Sequence, residues 1–392
     1  MKVPKHILPL IVISQLGCTS MWFAGNAVMP ELMKAFTLDS SALGYLTSSV
    51  QVGFIIGTLV FALLSIADRF SPSKVFFICA LLGASFNLAV IWEGNSSISL
   101  LLFRFLTGFF LAGIYPVGMK IAADYYQNGL GRSLAYLVGA LVLGTASPHL
   151  LKDLIGSKWP WQSILISTSL LAAFGAFLIR FFLSDGPFRK AGNGIDLKAI
   201  PKVFRDRKFR TAAFGYFGHM WELYAFWAFI PLMLSWFQSA HPEIQLNIPL
   251  LSFLSIAVGG PACIMGARWA QSAGPDNVAH WVLLISGFCG LALPFMFLQS
   301  SAIVFIAFLF FWGMFVIADS PLFSSLVAQN APPQLKGTAL TMVNCIGFAL
   351  TIVSIQGLSY LTIHFKSPFV FAILSIGPLI TFLHWSYKKR RA

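Results

Sequence analysis

The sequence predicts an all-α integral membrane protein with twelve transmembrane helices in two pseudo-symmetric six-helix bundles. Three observations carry that prediction. The chain is 57% hydrophobic and only 10% charged, whereas soluble domains are about one quarter charged. Its apolar residues fall in long continuous runs, not in the short alternating segments of a strand barrel. The two halves of the chain also echo one another.

Twelve runs are long enough to span, at approximately 7–32, 41–67, 75–93, 97–123, 133–151, 161–183, 211–237, 247–270, 279–298, 301–327, 337–361 and 367–387. Each is near the roughly 17–25 residues that cross a bilayer, and the longer ones can tilt. The first run follows Lys2, Lys5 and His6, as a signal peptide would. It continues past Trp22 to Leu32, and Gln15 stands where a lipoprotein cleavage site has an aliphatic residue, so an uncleaved first helix is expected.

The one long polar stretch, SDGPFRKAGNGIDLKAIPKVFRDRKFR at 184–210, separates six runs from six. This gives an N-terminal bundle at 1–183, a linker at 184–210 and a C-terminal bundle at 211–392. Within the linker, AIPKVFRDRKF reads either as a short amphipathic helix on the inner leaflet or as a solvated connection.

Orientation follows from Lys and Arg. With the N-terminus inside, 21 of the 26 fall in cytoplasmic segments and only Lys34, Lys152, Lys158 and Lys366 in outer loops, with Arg104 inside a helix. Both termini are therefore expected in the cytoplasm of a bacterium, in its inner membrane. The net charge of +13 has the same origin. It is spread over several loops rather than gathered on one docking face, which removes the case for nucleic acid.

The five cysteines lie in or at the ends of apolar runs at spacings that match no metal motif. No Walker-type loop appears, so ATP is not the expected energy source. No cofactor is expected.

The repeat is visible at two offsets. A shift of 205 sets Gly108 on Gly313, Pro116 on Pro321, Ala123 on Ala328 and Ser133 on Thr338. A shift of 201 sets Gly17 on Gly218 and Pro30 on Pro231. Parallel halves of this kind place a substrate path between them, near the midplane.

IADRFSPSK, after the second run, and RFLTGFFLAGIYP, in the fourth, bring a known group into view. With twelve runs and a basic central loop, they make the chain resemble the major facilitator superfamily over essentially its whole length, nearest the small-solute and anion permeases that include cyanate-permease-like proteins. Asp68, Arg69 and Lys74 match the family's loop, whereas Leu64 and Ser71 stand where glycines are usual and Pro72 replaces a basic residue. Arg104, Gly108 and Ala112 match its fourth-span pattern. The resemblance implies that spans 1, 4, 7 and 10 line a cavity. It also implies that Asp68 and Arg69 gate by holding one conformation. The fifth-span antiporter pattern is incomplete: Gly139, Gly144 and Pro148 are present without a Gly-Pro pair.

Glu222, in GHMWELYAFW, is the leading candidate for chemistry. A carboxylate at mid-membrane depth costs about 2.5–3.5 kcal/mol even on lenient scales, and intramembrane ionisable groups are functional candidates by default. Neutral when dry and charged when wet, such a group can carry a proton. The alternative is a carboxyl satisfied by a helix neighbour, such as a Tyr or Trp donor. Gly215 and Gly218 share its face and leave room for solute or for close helix packing. His219, one turn earlier, could bind that carboxylate in a relay or be a packed polar residue. Asp319, beside Pro321 in the tenth run, reads as a second proton or cation site or as a gate partner. Arg104 either holds an anionic substrate or ties span 4 to backbone carbonyls of span 1; His149 is expected at the interface.

Trp22, Asn26, Gln51, Tyr115, Trp221 and Tyr224 complete the substrate-binding candidates, the amides because buried amides need partners. The expected function is proton-coupled secondary uptake of a small polar or anionic solute by alternating access. A proton-antiport exporter and a non-transporting membrane sensor or scaffold remain alternatives. An enzyme is not expected, since no nucleophile or metal set accompanies Glu222 and His219. The expected partners are a small-molecule substrate, the proton and membrane lipid, with the chain acting as a monomer.

Overall fold

The computed structural model describes residues 3–126, 130–189 and 200–390. Among them every regular element is a helix. Among the described residues eleven helices are long and apolar enough to cross a membrane, and the first, Ile7–Thr19, is shorter. Inside hydrocarbon a chain must satisfy its own backbone polar groups, and helices do so within one segment.

Span 1 starts at Ile7–Thr19, unwinds over residues 20–23, and resumes as Ala24–Ala27 and Met29–Ala35. Spans 2 to 6 are Ala42–Leu63, Pro72–Ala89, Ser97–Tyr125, Leu130–Ile155 and Gln162–Phe182. Spans 7 to 12 are Arg207–Ala240, Ile248–Ala273, Pro275–Met296, Ala302–Asn330, Lys336–Phe365 and Pro368–Tyr387.

The chain divides into two compact units, Met1–Ile195 and Asp196–Ala392. The principal pairings of the first unit (span 2 with 4, 3 with 6, 1 with 5 and 6) recur in the second as 8 with 10, 9 with 12, and 7 with 11 and 12. The repeat reaches atomic detail. A Cβ on Gly108 would collide with the Val50 carbonyl, and one on Gly313 with the Ser255 carbonyl. Val50 and Ser255 are themselves 205 apart. Only glycine lets two helix backbones approach so closely.

Spans 4 and 10 break at matching places. Span 4 stops at Leu111 and restarts at Tyr115, while span 10 stops at Ala318 and restarts at Ser320. Pro116 and Pro321 open the second segments, where a missing N–H does least harm. Pro321 leaves the Ile317 carbonyl without its usual helical donor, and Cys263 Sγ approaches it at 3.5 Å.

The polar stretch is not solvated throughout. Its first residues seat on the first unit. Arg189 donates to the carbonyls of Asp68 (3.0 Å) and Phe70 (2.7 Å) and pairs with Asp185 at 2.9 Å. Ser71 donates to Asp185 at 2.7 Å, the Phe188 N–H to the Asp124 carbonyl, and the Tyr125 hydroxyl to the Ser184 carbonyl. Lys190, Lys198 and the rest of 190–199 lie outside the described residues, as do Lys2 and Arg391. Of AIPKVFRDRKF, Ile200–Val203 forms one short helical turn; from Arg207 the segment is already span 7, capped by the Asp206 side chain on the Phe209 N–H.

Candidate functional site

Glu222 sits in the middle of span 7, and its residue is 1% exposed. Its Oε1 accepts two hydrogen bonds, from Ser286 Oγ on span 9 at 2.7 Å and from Trp312 Nε1 on span 10 at 2.6 Å. The Trp312 ring is wholly buried, and Phe226, one turn beyond Glu222 on the same face, packs against it with centroids 4.6 Å apart. The carboxyl thus joins three helices through neutral donors. The Trp donor foreseen from the sequence exists, but it arrives from another span.

His219 does not turn to Glu222. Its Nδ1 lies 2.8 Å from Asp319 Oδ1, both side chains being essentially inaccessible. The contact is at ion-pair distance. Asp319 occupies the break of span 10, with no cap bond of its own. His219 Nε2 likewise has no partner among the described residues. The second unit therefore buries two separate acidic positions, one held by neutral donors and one facing a histidine.

Gly215 and Gly218 leave no open space. A Cβ on Gly215 would strike the Phe323 ring, and one on Gly218 would meet Thr381 Oγ1 and the Gly377 carbonyl. Of the two readings for these glycines, close helix packing is the one realised. Trp221 is likewise engaged, donating from Nε1 to the Ile373 carbonyl at 2.9 Å. Tyr224 is buried between Trp227 and Phe348.

In the first unit the most deeply buried charge is Arg104, 1% exposed. Its Nη1 donates to the Met21 carbonyl at 3.2 Å and to Asn87 Oδ1 at 3.1 Å, and its Nη2 to the Trp22 carbonyl at 2.6 Å. Those carbonyls belong to the unwound part of span 1, where backbone acceptors lack helical donors. Both of its terminal nitrogens are thus engaged in joining span 4 to spans 1 and 3. The tie to span 1 carbonyls is the observed arrangement.

Around it lie the neutral candidates. Trp22 packs on Phe54, with centroids 4.8 Å apart. Asn26 donates to Thr47 Oγ1 at 2.8 Å. The unwinding at residues 20–23 means that Trp22 and Asn26 do not share one continuous helical face. Gln51 is 0% exposed, and neither amide atom has a partner among the described residues. Tyr115 opens the second half of span 4 and is half-buried. His149 is 2% exposed, and its Nε2 has no partner among the described residues.

Asp68 pairs with Lys120 of span 4 at 2.9 Å, whereas Arg69 is exposed. The second cation that pins this loop is Arg189, from the polar stretch. Among the described residues no group of three His, Cys, Asp or Glu could hold a metal ion.

Sequence reasoning passed over Ser286, Trp312 and Asn87. Asn87 carried a usable signal, an amide in an apolar run. Serine and tryptophan are ordinary in such runs, and nothing local marks these two as partners of a residue 64 or 90 positions away.

The comparisons with known proteins bear on the whole chain. The solved D-xylose-proton symporter superposes with a TM-score of 0.77 over 96% of this chain and 96% of that one, at 14% identity. The nucleoside transporter NupG superposes with 0.74 over 97% and 99%, also at 14% identity. At that identity the likeness concerns the fold. By sequence, the chain is 29% identical over 165 residues to the 4-hydroxybenzoate transporter PcaK of Acinetobacter baylyi, a match covering 40% of this chain and 34% of that protein. The chain thus spans about one third of the length of that relative. The sequence model described as Major Facilitator Superfamily matches residues 11–355. With that match and the recurring helix pairings, the chain belongs to the Major Facilitator Superfamily, a family of transporters rather than enzymes.

Proposed function

We propose that the chain is a proton-coupled secondary transporter that takes up a small polar or anionic solute by alternating access. The observation that carries this reading is Glu222: a buried carboxyl in span 7 whose two hydrogen-bond donors, Trp312 and Ser286, are both neutral. A carboxyl held by neutral donors can be occupied by a proton or empty without breaking an ion pair. His219 and Asp319 supply a second titratable position in the same unit. The name of the relative PcaK makes a small aromatic acid the first solute to test. The Lys and Arg distribution supports a bacterial inner-membrane location with both termini cytoplasmic. Gln51, Asn26 and Trp22 are the proposed solute contacts of the first unit, and the Asp68–Lys120–Arg189 cluster the proposed conformational tie.

The test is uptake of labelled 4-hydroxybenzoate and related acids into proteoliposomes under an imposed pH gradient. Accumulation should follow the gradient. Glu222→Gln, whose amide oxygen can still accept from Trp312 and Ser286, should abolish gradient-driven accumulation while keeping solute exchange at equal pH. Accumulation by Glu222→Gln equal to the unaltered protein would remove Glu222 from the mechanism. Uptake that favours the reverse gradient would replace symport by antiport.

A further inference from the structure

The second inference rests on the proton-coupling reading and concerns where on Glu222 the proton sits. An indole N–H donates and has no lone pair with which to accept. Trp312 Nε1 stands 2.6 Å from Glu222 Oε1. Oε1 is therefore an acceptor in both proton states of the carboxyl, as long as the indole holds its place. That place is enforced by packing: the ring is fully buried, with Phe226 against it at 4.6 Å and Phe308 at 6.1 Å. Close-packed interiors leave no room for a ring of that size to swing away.

A neutral carboxyl has one hydroxyl oxygen and one carbonyl oxygen. Oε1 accepts from two donors, which occupy its in-plane lone pairs, so the hydroxyl falls on Oε2. The Ser286 hydroxyl, 2.7 Å from the same Oε1, adds a second donor to the carbonyl side. We propose that Trp312, assisted by Ser286, is a positioning residue that confines the coupled proton to Oε2 of Glu222.

Two consequences follow. The ties from span 7 to spans 9 and 10 survive both loading and release of the proton, because both use Oε1. Proton exchange is one-sided, since the Oε1 side is closed by the indole and the serine. The titratable neighbours of this carboxyl are Cys289 on span 9 and Asp319 on span 10, with His219 one turn earlier on span 7. His219 is turned to Asp319, so neither side chain of that pair substitutes for the indole.

The carbonyl stretch of a protonated carboxyl reports on this arrangement directly, because a carbonyl oxygen that loses a hydrogen bond absorbs at higher wavenumber. Infrared difference spectra between acid and alkaline pH, on purified full-length protein, should show a carboxyl band that is absent in Glu222→Gln. In Trp312→Phe that band should move to higher wavenumber. Ser286→Ala should move it the same way by less, and it serves if Trp312→Phe fails to fold. Gradient-driven accumulation should fall about tenfold or more in Trp312→Phe, the weight of a hydrogen bond to a charged group, with exchange at equal pH much less affected. A Glu222 band that stays in place in both variants overturns the inference and leaves proton coupling standing. No Glu222-dependent band at any pH overturns both.

Discussion

Arg104 in the first unit and Glu222 in the second are held by equivalent helices in opposite ways. In the first unit a cation on span 4, Arg104, reaches span 3 and the backbone of span 1. In the second, an acid on span 7, Glu222, is reached from spans 9 and 10. The acceptors coincide in the repeat: Met21, whose carbonyl takes Arg104, is offset by 201 from Glu222. Where the first unit unwinds span 1 and bares carbonyls, the second keeps its helix through that point and places a carboxyl there. The lesson is one of roles. Arginine does not lose its proton, so the first clamp is permanent. The second clamp is built on a group that can titrate, which is what the proposed coupling asks of it.

The comparison can be broken most readily at Arg104. Arg104→Leu strands three buried acceptors, each worth about 1–3 kcal/mol when unsatisfied, and should leave little folded protein by fluorescence-detected gel filtration. Glu222→Gln should elute normally. Equal loss in the two variants would erase the distinction between a structural and a titrating clamp. The next effect should be symmetrical. Gly108→Ala and Gly313→Ala each force a methyl against a backbone carbonyl and should each lower stability by about 1–3 kcal/mol, the usual cost of overpacking, read as matching drops in thermal melts. A large drop in one alone would show that the repeat stops at the level of pattern. The smallest stability effect belongs to Gln51→Leu. Removing an amide without partners should change stability by less than ~1 kcal/mol in either direction, while raising the KM for uptake several-fold. An unchanged KM would take Gln51 out of the solute contacts.

The spans themselves were legible, because twenty apolar residues in a row have few physical fates. The first span was legible only in part. Its unwinding falls at Ser20-Met21-Trp22-Phe23, where no Gly or Pro marks a break. The freed carbonyls are answered by a side chain more than 80 positions away, at a distance no local pattern reports. Pro116 and Pro321, which the repeat had already paired, lie at the breaks in spans 4 and 10. Glu222, His219, Asp319 and Arg104 were legible as anomalies, since charge inside hydrocarbon needs a reason. Their partnerships were not. Helical spacing put His219 within reach of Glu222, and packing sent it to Asp319 instead. In the loop after span 2, the family pattern named Asp68 and Arg69. The cations that contact this loop are Lys120 and Arg189, one on a different helix and one beyond span 6.

That seat has a practical reading for anyone wishing to express the halves as separate polypeptides. Composition places the cut after Leu183, where the apolar run ends. Such a cut would carry off Ser184, Asp185, Phe188 and Arg189, and with them the bonds that fasten Tyr125, Ser71, Asp124 and the carbonyls of Asp68 and Phe70. The first fragment would be left with an unfastened loop and bare carbonyls at one end. A cut beyond Arg189 keeps the fastening with the piece it fastens, and it is the better seam for split-gene complementation or for inserting a reporter.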